Sequence, residues 1–297
     1  MPLRLPVTVA LAEAATELPA GPGWAYEPKF DGHRVCVICD ADGAVHLQAG
    51  RSQRDVTAYF PDLAAAAESL PDGTVLDGEA VIYRAGVIDF TAVQQRALSK
   101  PARARHLASE LTATYAAFDV LEAHGRDMRG KPYQERRRLL TALLEPLAPS
   151  LLQPVPMTED VEEARVWMDA LRAQGIEGIV AKRVRERYPA GRRSWVKVRH
   201  ATAMDAVAVG FTGPASRPAR LVVDVGGGRL LLSAPLGVAI SRVLAQALEV
   251  VGGRGGVAWI RDGRQYRGLS KVLPVEVEMG TTRHPTVTVR RLRPDLG

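Results

Sequence analysis

The feature that most constrains the fold is a change of texture after Arg199. Over residues 24–199, runs that read as strands alternate irregularly with runs that read as helices. Over residues 205–293, short β-branched runs are broken by Gly and Pro, with a single helical stretch among them. The chain is therefore expected to form two domains, residues 1–202 and 203–297. In the first, periodicity predicts strands over 24–29, 34–39, 45–48, 74–83, 114–121, 178–183 and 194–199, and helices over 61–70, 133–147 and 158–174. Thr158 can cap the last helix, acidic residues crowd its first turn, and Gly175 ends it. Crossover helices do not separate the strands evenly, which argues against a doubly wound parallel sheet and for an α+β domain with antiparallel sheets. In the second, strands are expected over 205–212, 221–225, 229–236, 257–261, 274–279 and 286–293, with a helix over 238–250. Five or six strands and one helix in about 90 residues suggest a small barrel of the oligonucleotide-binding (OB) type.

Charge separates the two parts as well. Residues 1–200 hold 26 basic and 26 acidic side chains, whereas 201–297 hold 13 and 7, which accounts for all of the net +6. Such a surplus suits a polyanionic partner, or serves solubility alone. No apolar stretch approaches the length of a membrane span, and the first residues lack the apolar core of a signal peptide, so a cytoplasmic protein is expected. Cys36 and Cys39 lie three apart in a strand-like run and would point to opposite faces. With no second pair to complete a metal site, they read as two buried thiols.

The basic residues carry a further signal. The chain has 33 Arg and 6 Lys. Arg suffices wherever only positive charge is needed, but it cannot act as a nucleophilic amine. Three of the six lysines, Lys29, Lys182 and Lys197, fall in short segments with other reactive side chains. Lys29 opens Lys29-Phe30-Asp31-Gly32-His33-Arg34, at the end of an expected strand. Alone, this is also how a surface lysine at a turn would look. Four more segments accompany it: Asp77-Gly78-Glu79; Tyr115-Ala116-Ala117-Phe118-Asp119; Glu177-Gly178-Ile179-Val180-Ala181-Lys182; and Trp195-Val196-Lys197-Val198-Arg199. In the last, Lys197 and Arg199 share one strand face.

In this order, the five segments resemble the nucleotidyltransferase superfamily of ATP-dependent DNA ligases, RNA ligases and mRNA-capping enzymes. Further local matches are closest to the short bacterial ATP-dependent DNA ligases: Arg51 to Thr57 with Phe60-Pro61, Asp89-Phe90 with Gln94-Gln95-Arg96, Arg126-Asp127 with Pro132 to Arg137, and Tyr188 to Ser194. The resemblance covers about residues 20–295 and implies an adenylation domain followed by an OB-fold domain. It implies a monomeric enzyme that seals nicks in double-stranded DNA in three steps through a lysyl-AMP on Lys29, in DNA repair. ATP is the implied nucleotide, with Mg²⁺ or, in its place, Mn²⁺. By the same resemblance, Glu27 lies beside the base and Phe118 stacks on it. Arg34 and Arg51 meet ribose or phosphate, Lys182, Lys197 and Arg199 lie near the α-phosphate, and Glu79 and Glu177 hold the metal, with Glu79 near the ribose too. Arg51, Arg54, Arg183, Arg192 and Arg193 face the DNA. Trp195 also reads as plain packing, and the Arg-rich run as a solvated face.

Departures bear on efficiency. Arg199 stands where the family has a second lysine, Gln53 where related loops often have Gly, and Leu296 where the terminal Arg-x-Asp-Lys motif ends in lysine. Through Leu296 the resemblance implies a slower first step, unless Arg290 or Arg291 substitutes. No N-terminal helical DNA-binding domain is expected, nor the cysteine cluster of NAD-dependent ligases. An RNA ligase, a capping-type guanylyltransferase and a nucleic-acid-binding module without transfer activity are the competing readings.

Overall fold

The computed structural model describes residues 3–251, 255–260, 263–280 and 287–293. The chain divides into two compact units, residues 1–199 and 200–297. The first contains β1 (Leu11–Ala15), β2 (Trp24–Lys29), β3 (His33–Cys39), β4 (Val45–Ala49), α1 (Pro61–Ala67), β5 (Thr74–Arg84), β6 (Val87–Ile88), α2 (Phe90–Ala97), α3 (Pro101–Glu110), β7 (Ala113–Ala123), β8 (Arg126–Asp127), α4 (Tyr133–Leu144), β9 (Leu152–Pro154), α5 (Val161–Ala170), β10 (Gly178–Arg183) and β11 (Arg193–Arg199). The second contains β12 (Ala201–Thr212), β13 (Arg220–Asp224), β14 (Leu230–Leu232), α6 (Val238–Val251), β15 (Val257–Trp259), β16 (Gln265–Gly280) and β17 (Val287–Leu292).

Two sheets build the first unit. The larger has the order β4-β3-β5-β7-β8, with β6 paired to β5 and β9 to β7; the smaller has the order β1-β11-β10-β2. Pairing is antiparallel except for β1 with β11 and β7 with β9. The α+β architecture with mainly antiparallel sheets is thus as expected.

Strand β3 shows how the layers meet. Val35, Val37 and Cys39 pack under the helices with Leu63 of α1, Val93 of α2, Leu107 of α3 and Leu140 of α4. Cys36 and Ile38, on the other face, pack with Tyr188, Trp195 and Val9 towards the smaller sheet. Burial of both faces explains the near-continuous apolar sequence of this strand, and the two thiols are free and buried. The smaller sheet has its own alternation. Trp24, Tyr26, Ile179, Ala181 and Val198 pack with Ala164 of α5, which turns Glu27, Lys29, Val180 and Lys182 to the opposite face.

Two buried ion pairs fix the helices. Arg96 of α2, fully buried, pairs with Asp62 of α1 at 2.6 Å. Arg136 of α4 bonds both oxygens of Asp119 on β7, at 2.7 and 2.9 Å. Helix α5 begins later than expected. Asp160 rather than Thr158 is its cap and accepts from the Glu162 N–H at 2.8 Å, while the Thr158 hydroxyl accepts from the Asp160 N–H at 3.0 Å.

In the second unit the sheet order is β14-β13-β12-β16-β15, with β17 on the other edge of β16. A parallel bridge between Ser233 and Val287, with an Ala234 N–H to Val287 carbonyl bond of 2.7 Å, joins the end of β14 to β17. The path β14-β13-β12-β16-β17 therefore closes on itself. Its core includes Phe211, Leu221, Val223, Val275 and Val287, with Leu244 and Leu248 of α6. Strand β16 runs far beyond the expected 274–279, through Gly268 and Pro274. Pro294, Asp295 and Leu296 lie outside the described residues. Arg291 pairs with Glu276 at 2.7 Å and Arg290 with Glu278 at 2.6 Å.

Candidate active site

A cleft of about 640 Å³ lies between the two sheets of the first unit. Both walls follow from strand register. On the smaller sheet, Val180 pairs with Glu27 on one side and Lys197 on the other, and Gly178 pairs with Lys29 and Arg199. Directly paired residues point to the same face, so Glu27, Lys29, Lys182, Lys197 and Arg199 all line the cleft. On the larger sheet Arg34 pairs with Glu79. These two, Phe118 and the turn after β4 with Arg51 form the opposing wall, and Thr8 to Ala12 contribute to the rim.

Lys29 stands at the end of β2, where its ammonium forms an ion pair with Glu177, whose other oxygen lies 2.6 Å from Arg199 Nε. Gly178 makes this arrangement possible, because a β-carbon there would come within 2.0 Å of the Val198 carbonyl oxygen. Gly32 has the same kind of role. A β-carbon would meet the Ala80 carbonyl oxygen at 2.2 Å, and the bare Gly32 N–H donates to Glu79 Oε1 at 3.2 Å. Burial, with the charges of Arg199 and Lys29 beside it, lowers the pKa of Lys197. Burial raises that of Asp31, reinforced by Glu177.

Burial also pushes the Glu79 carboxyl up to about 7, against the pull of Lys29 and Arg34. A carboxyl raised in the fold is bound by a proton there at a pH where the unfolded chain has already released it. The stability it contributes is therefore complete below its ordinary value of 4.5 and lost as pH rises through about 7. Glu79→Gln removes this dependence. Denaturant unfolding should show the wild type losing about 3 kcal/mol relative to that variant between pH 4.5 and 8; parallel pH profiles would refute the assignment.

The other end of the cleft is built around Lys182. Gly178 and Lys182 are four residues apart, or about 13 Å along a strand, so Lys182 is well removed from the Lys29 end. Its ammonium, on a side chain 1 % exposed, pairs with Glu27 at 2.7 Å and donates to the Phe118 carbonyl at 2.8 Å. It sits 4.3 Å from the Trp195 ring centre, 4.9 Å from Phe118 and 5.0 Å from Tyr133. The Tyr133 hydroxyl donates to the second Glu27 oxygen. Trp195 is thus a packing residue with a cation on its face.

Arg34 is likewise held by partners within the protein. Its Nε and Nη2 bond Asp77 at 3.0 and 2.7 Å, and Nη1 donates to the Ala10 carbonyl at 2.7 Å. Its guanidinium lies 5.3 Å from the Phe118 ring and 5.5 Å from that of Trp195, so Arg34 buttresses Phe118. Tyr188 completes the set: its hydroxyl donates to Asp77 and accepts from the Ala10 N–H.

Asp77, Tyr133 and Tyr188 lie in segments of the resemblance but carry no role of their own there, and the segment 7–12 lies outside it. For the last, the alternation Val7-Thr8-Val9-Ala10-Leu11 was the available signal. Among the remaining cations, Arg51 and Arg193 line the cleft. Arg54, Arg183 and Arg192 are exposed outside its lining, Arg183 lying 3.9 Å over the Trp24 ring. Among the described residues no three His, Cys, Asp or Glu side chains converge as a ready-made metal site.

Comparison with known proteins agrees with this geometry. Residues 7–199 match the ATP dependent DNA ligase domain family. The chain is 34% identical over 218 residues to DNA ligase C of Mycobacterium tuberculosis, covering 71% of this chain and 59% of that protein. It is 38% identical over 238 residues to the multifunctional non-homologous end joining DNA repair protein LigD of the same organism, covering 77% of this chain and 29% of that one. The chain thus spans well under two thirds of the length of these curated relatives. The solved ligase domain of M. tuberculosis LigD is similar over 97% of this chain and 95% of its own, with a TM-score of 0.58 and 32% identity. A mycobacterial DNA ligase D complexed with ATP and MES matches with a TM-score of 0.56, 31% identity and the same coverage of both chains.

Proposed function

The chain belongs to the ATP-dependent DNA ligase family, and on that premise we propose that it joins 5′-phosphate and 3′-hydroxyl ends at nicks in double-stranded DNA. The observation that carries this reading is the convergence of Lys29, Glu79, Glu177, Lys197, Arg199 and Phe118 on one cleft. In the first step Lys29 Nζ attacks the α-phosphorus of ATP, the bond to pyrophosphate breaks, and the amine loses its proton as lysyl-AMP forms. Next, an oxygen of the nick 5′-phosphate attacks that phosphorus and the amine leaves, regaining a proton. Finally the 3′-hydroxyl oxygen attacks the 5′-phosphorus, its proton is lost, and AMP departs. Each step is an in-line displacement that depends on positioning and on neutralised phosphate charge.

Glu177 fixes the amine, and Lys197 and Arg199 supply the nearest cations for the α-phosphate. Phe118, braced by Arg34, is the platform for the base. Glu27 offers an acceptor beside the Lys182 donor. This pair complements the amino donor and ring-nitrogen acceptor of adenine, whereas guanine presents the reverse order. ATP is therefore expected to be used at least about 10²-fold better than GTP in forming the covalent adduct; equal labelling by both would refute this role for the pair. Glu79 and Glu177 are the carboxylates that would hold Mg²⁺ or Mn²⁺. Two carboxylates without a third protein donor suit an ion whose other ligands are phosphate oxygens and water. Such an ion neutralises phosphate charge.

Arg51 faces the nick phosphate in this reading, and Arg54, Arg183, Arg192 and Arg193 the flanking backbone. The closed path of β12, β13, β14, β16 and β17 with α6 supports an OB-type second domain. Repair is the setting, given the end-joining name of one relative, with a cytoplasmic monomer as the working form. No helix among the described residues is long and apolar enough to cross a membrane. The deciding experiment offers labelled ATP or GTP, then nicked DNA or nicked RNA. ATP labelling and DNA sealing support the proposal, whereas labelling from GTP but not ATP, or sealing of RNA alone, overturns it.

A further inference from the structure

We infer that Gln53 is a positioning residue. Its side chain ties the turn that carries Arg51 to the N-terminal wall of the cleft, and so sets where Arg51 meets a nick phosphate. The inference rests on the reading of Arg51 just given.

Gln53 has φ 57, and among the described residues the other non-glycine residues with positive φ are Ala85 and His124. Those two are each followed by a positive-φ glycine, Gly86 and Gly125. Each such pair joins a long strand to a two-residue antiparallel one, β5 to β6 and β7 to β8, where two consecutive positive φ values are the normal requirement of a tight hairpin. Gln53 instead ends the four-residue loop between Ala49 and Arg54, which the antiparallel Gln48–Asp55 bridge closes, and a left-handed residue is usual at that position. A side chain in this backbone region crowds the carbonyl beside it, and glycine would fit without that crowding. A non-glycine residue is kept there at some cost, and its side-chain contacts offset that cost.

The turn is held at its base by the backbone. Gln53 N–H donates to the Ala49 carbonyl at 2.9 Å, and Ala49 N–H to the Arg54 carbonyl at 2.9 Å. Beyond that base, Gln53 Nε2 reaches the Val7 carbonyl at 3.3 Å and the Thr8 hydroxyl at 3.4 Å. The place of Val7 is set independently. Its N–H donates to Gln48 Oε1 at 2.7 Å, and its carbonyl accepts from Gln48 Nε2 at 2.8 Å. Gln53 is therefore the side-chain link between a fixed wall and the far side of a turn whose near side is tied to β3, where Gly50 N–H donates to the Arg34 carbonyl at 2.8 Å. Among the described residues no hydrogen bond or ion pair holds the Arg51 guanidinium, so the position of Arg51 is inherited from that turn. Thr8, Arg51 and Gln53 all line the cleft.

The test measures how much more tightly the 297-residue chain binds a nicked duplex with a 5′-phosphate than one with a 5′-hydroxyl, alongside Tm. Arg51→Ala should abolish the preference. Gln53→Gly and Gln53→Ala should each reduce it about 3- to 10-fold, the range for one hydrogen-bonded link. Their Tm values should move apart: glycine accepts φ 57 and holds or raises Tm, while alanine keeps the strain and lowers it. Loss of preference in both variants despite opposite Tm shifts separates positioning from damage to the fold. The double variant Arg51→Ala, Gln53→Gly should be no worse than Arg51→Ala alone.

A wild-type preference in Gln53→Gly, or a loss in the alanine variant only, overturns the inference while leaving the role of Arg51 intact. So does an additive loss in the double variant. A wild-type protein indifferent to the phosphate, or an Arg51→Ala variant that keeps the preference, overturns the Arg51 reading and the inference with it.

Discussion

Lys29→Ala is expected to lose the covalent AMP adduct, with nick sealing from ATP falling by more than about 10³-fold, the scale seen when a covalent nucleophile is removed. Intact mass after incubation with ATP and a divalent ion reads the adduct directly. Lys29→Arg should fail equally, because a guanidinium keeps the charge and the pairing with Glu177 but has no free electron pair to offer. Neither change should unfold the protein. Lys29 is only half-buried, and Glu177 retains Arg199 at 2.6 Å. An adduct of normal yield in either variant would place the nucleophile elsewhere.

The second large effect concerns stability and loading together. Lys182→Ala leaves Glu27, 2 % exposed, with only the Tyr133 hydroxyl beside it. Stranding one member of a buried ion pair costs about 3–5 kcal/mol, or a fall in Tm on the order of 10 °C for a unit of this size. Removing both charges should recover most of the stability, since an apolar or neutral replacement of a whole pair is often nearly neutral. The double variant Lys182→Met, Glu27→Gln should therefore melt near the wild type yet still load poorly from ATP, its base-reading donor gone. Recovery of loading with stability would show that the pair serves packing alone.

The parts legible in the sequence were those with local causes. The apolar-to-α5, functional-to-cleft alternation of β2, β10 and β11 is a period of two that can be read along each strand. Gly32 and Gly178 stood beside the residues they admit to the site. The less legible parts depend on distant partners. Helix α2 is short and buries Ala92, Val93 and Arg96, and it is held by that arginine against Asp62 of α1, a contact no local pattern announces. The resemblance places Lys182 and Arg34 by a nucleotide, but their partners within the protein, Glu27 and Asp77, lie on other strands and have no local signal. Strand β1 was missed because its partner lies at the far end of the domain. The length of β16 was missed because Gly268 and Pro274 look like breaks until both neighbouring strands are in view.

The parallel pairing of β1 with β11 has a consequence in the order of synthesis. Leu11 pairs with Arg193, so the first wall of the cleft must wait for the last strand of its own domain to be made. At about 5–20 residues per second this delay lasts roughly 10–40 s on the ribosome. Until then the segment holding Thr8 and Ala10 lacks its docking strand, and the growing chain has Lys29 but no finished cleft around it. Affinity for ATP should therefore appear late and abruptly in a series of ribosome-stalled chains, only once β11 has cleared the exit tunnel.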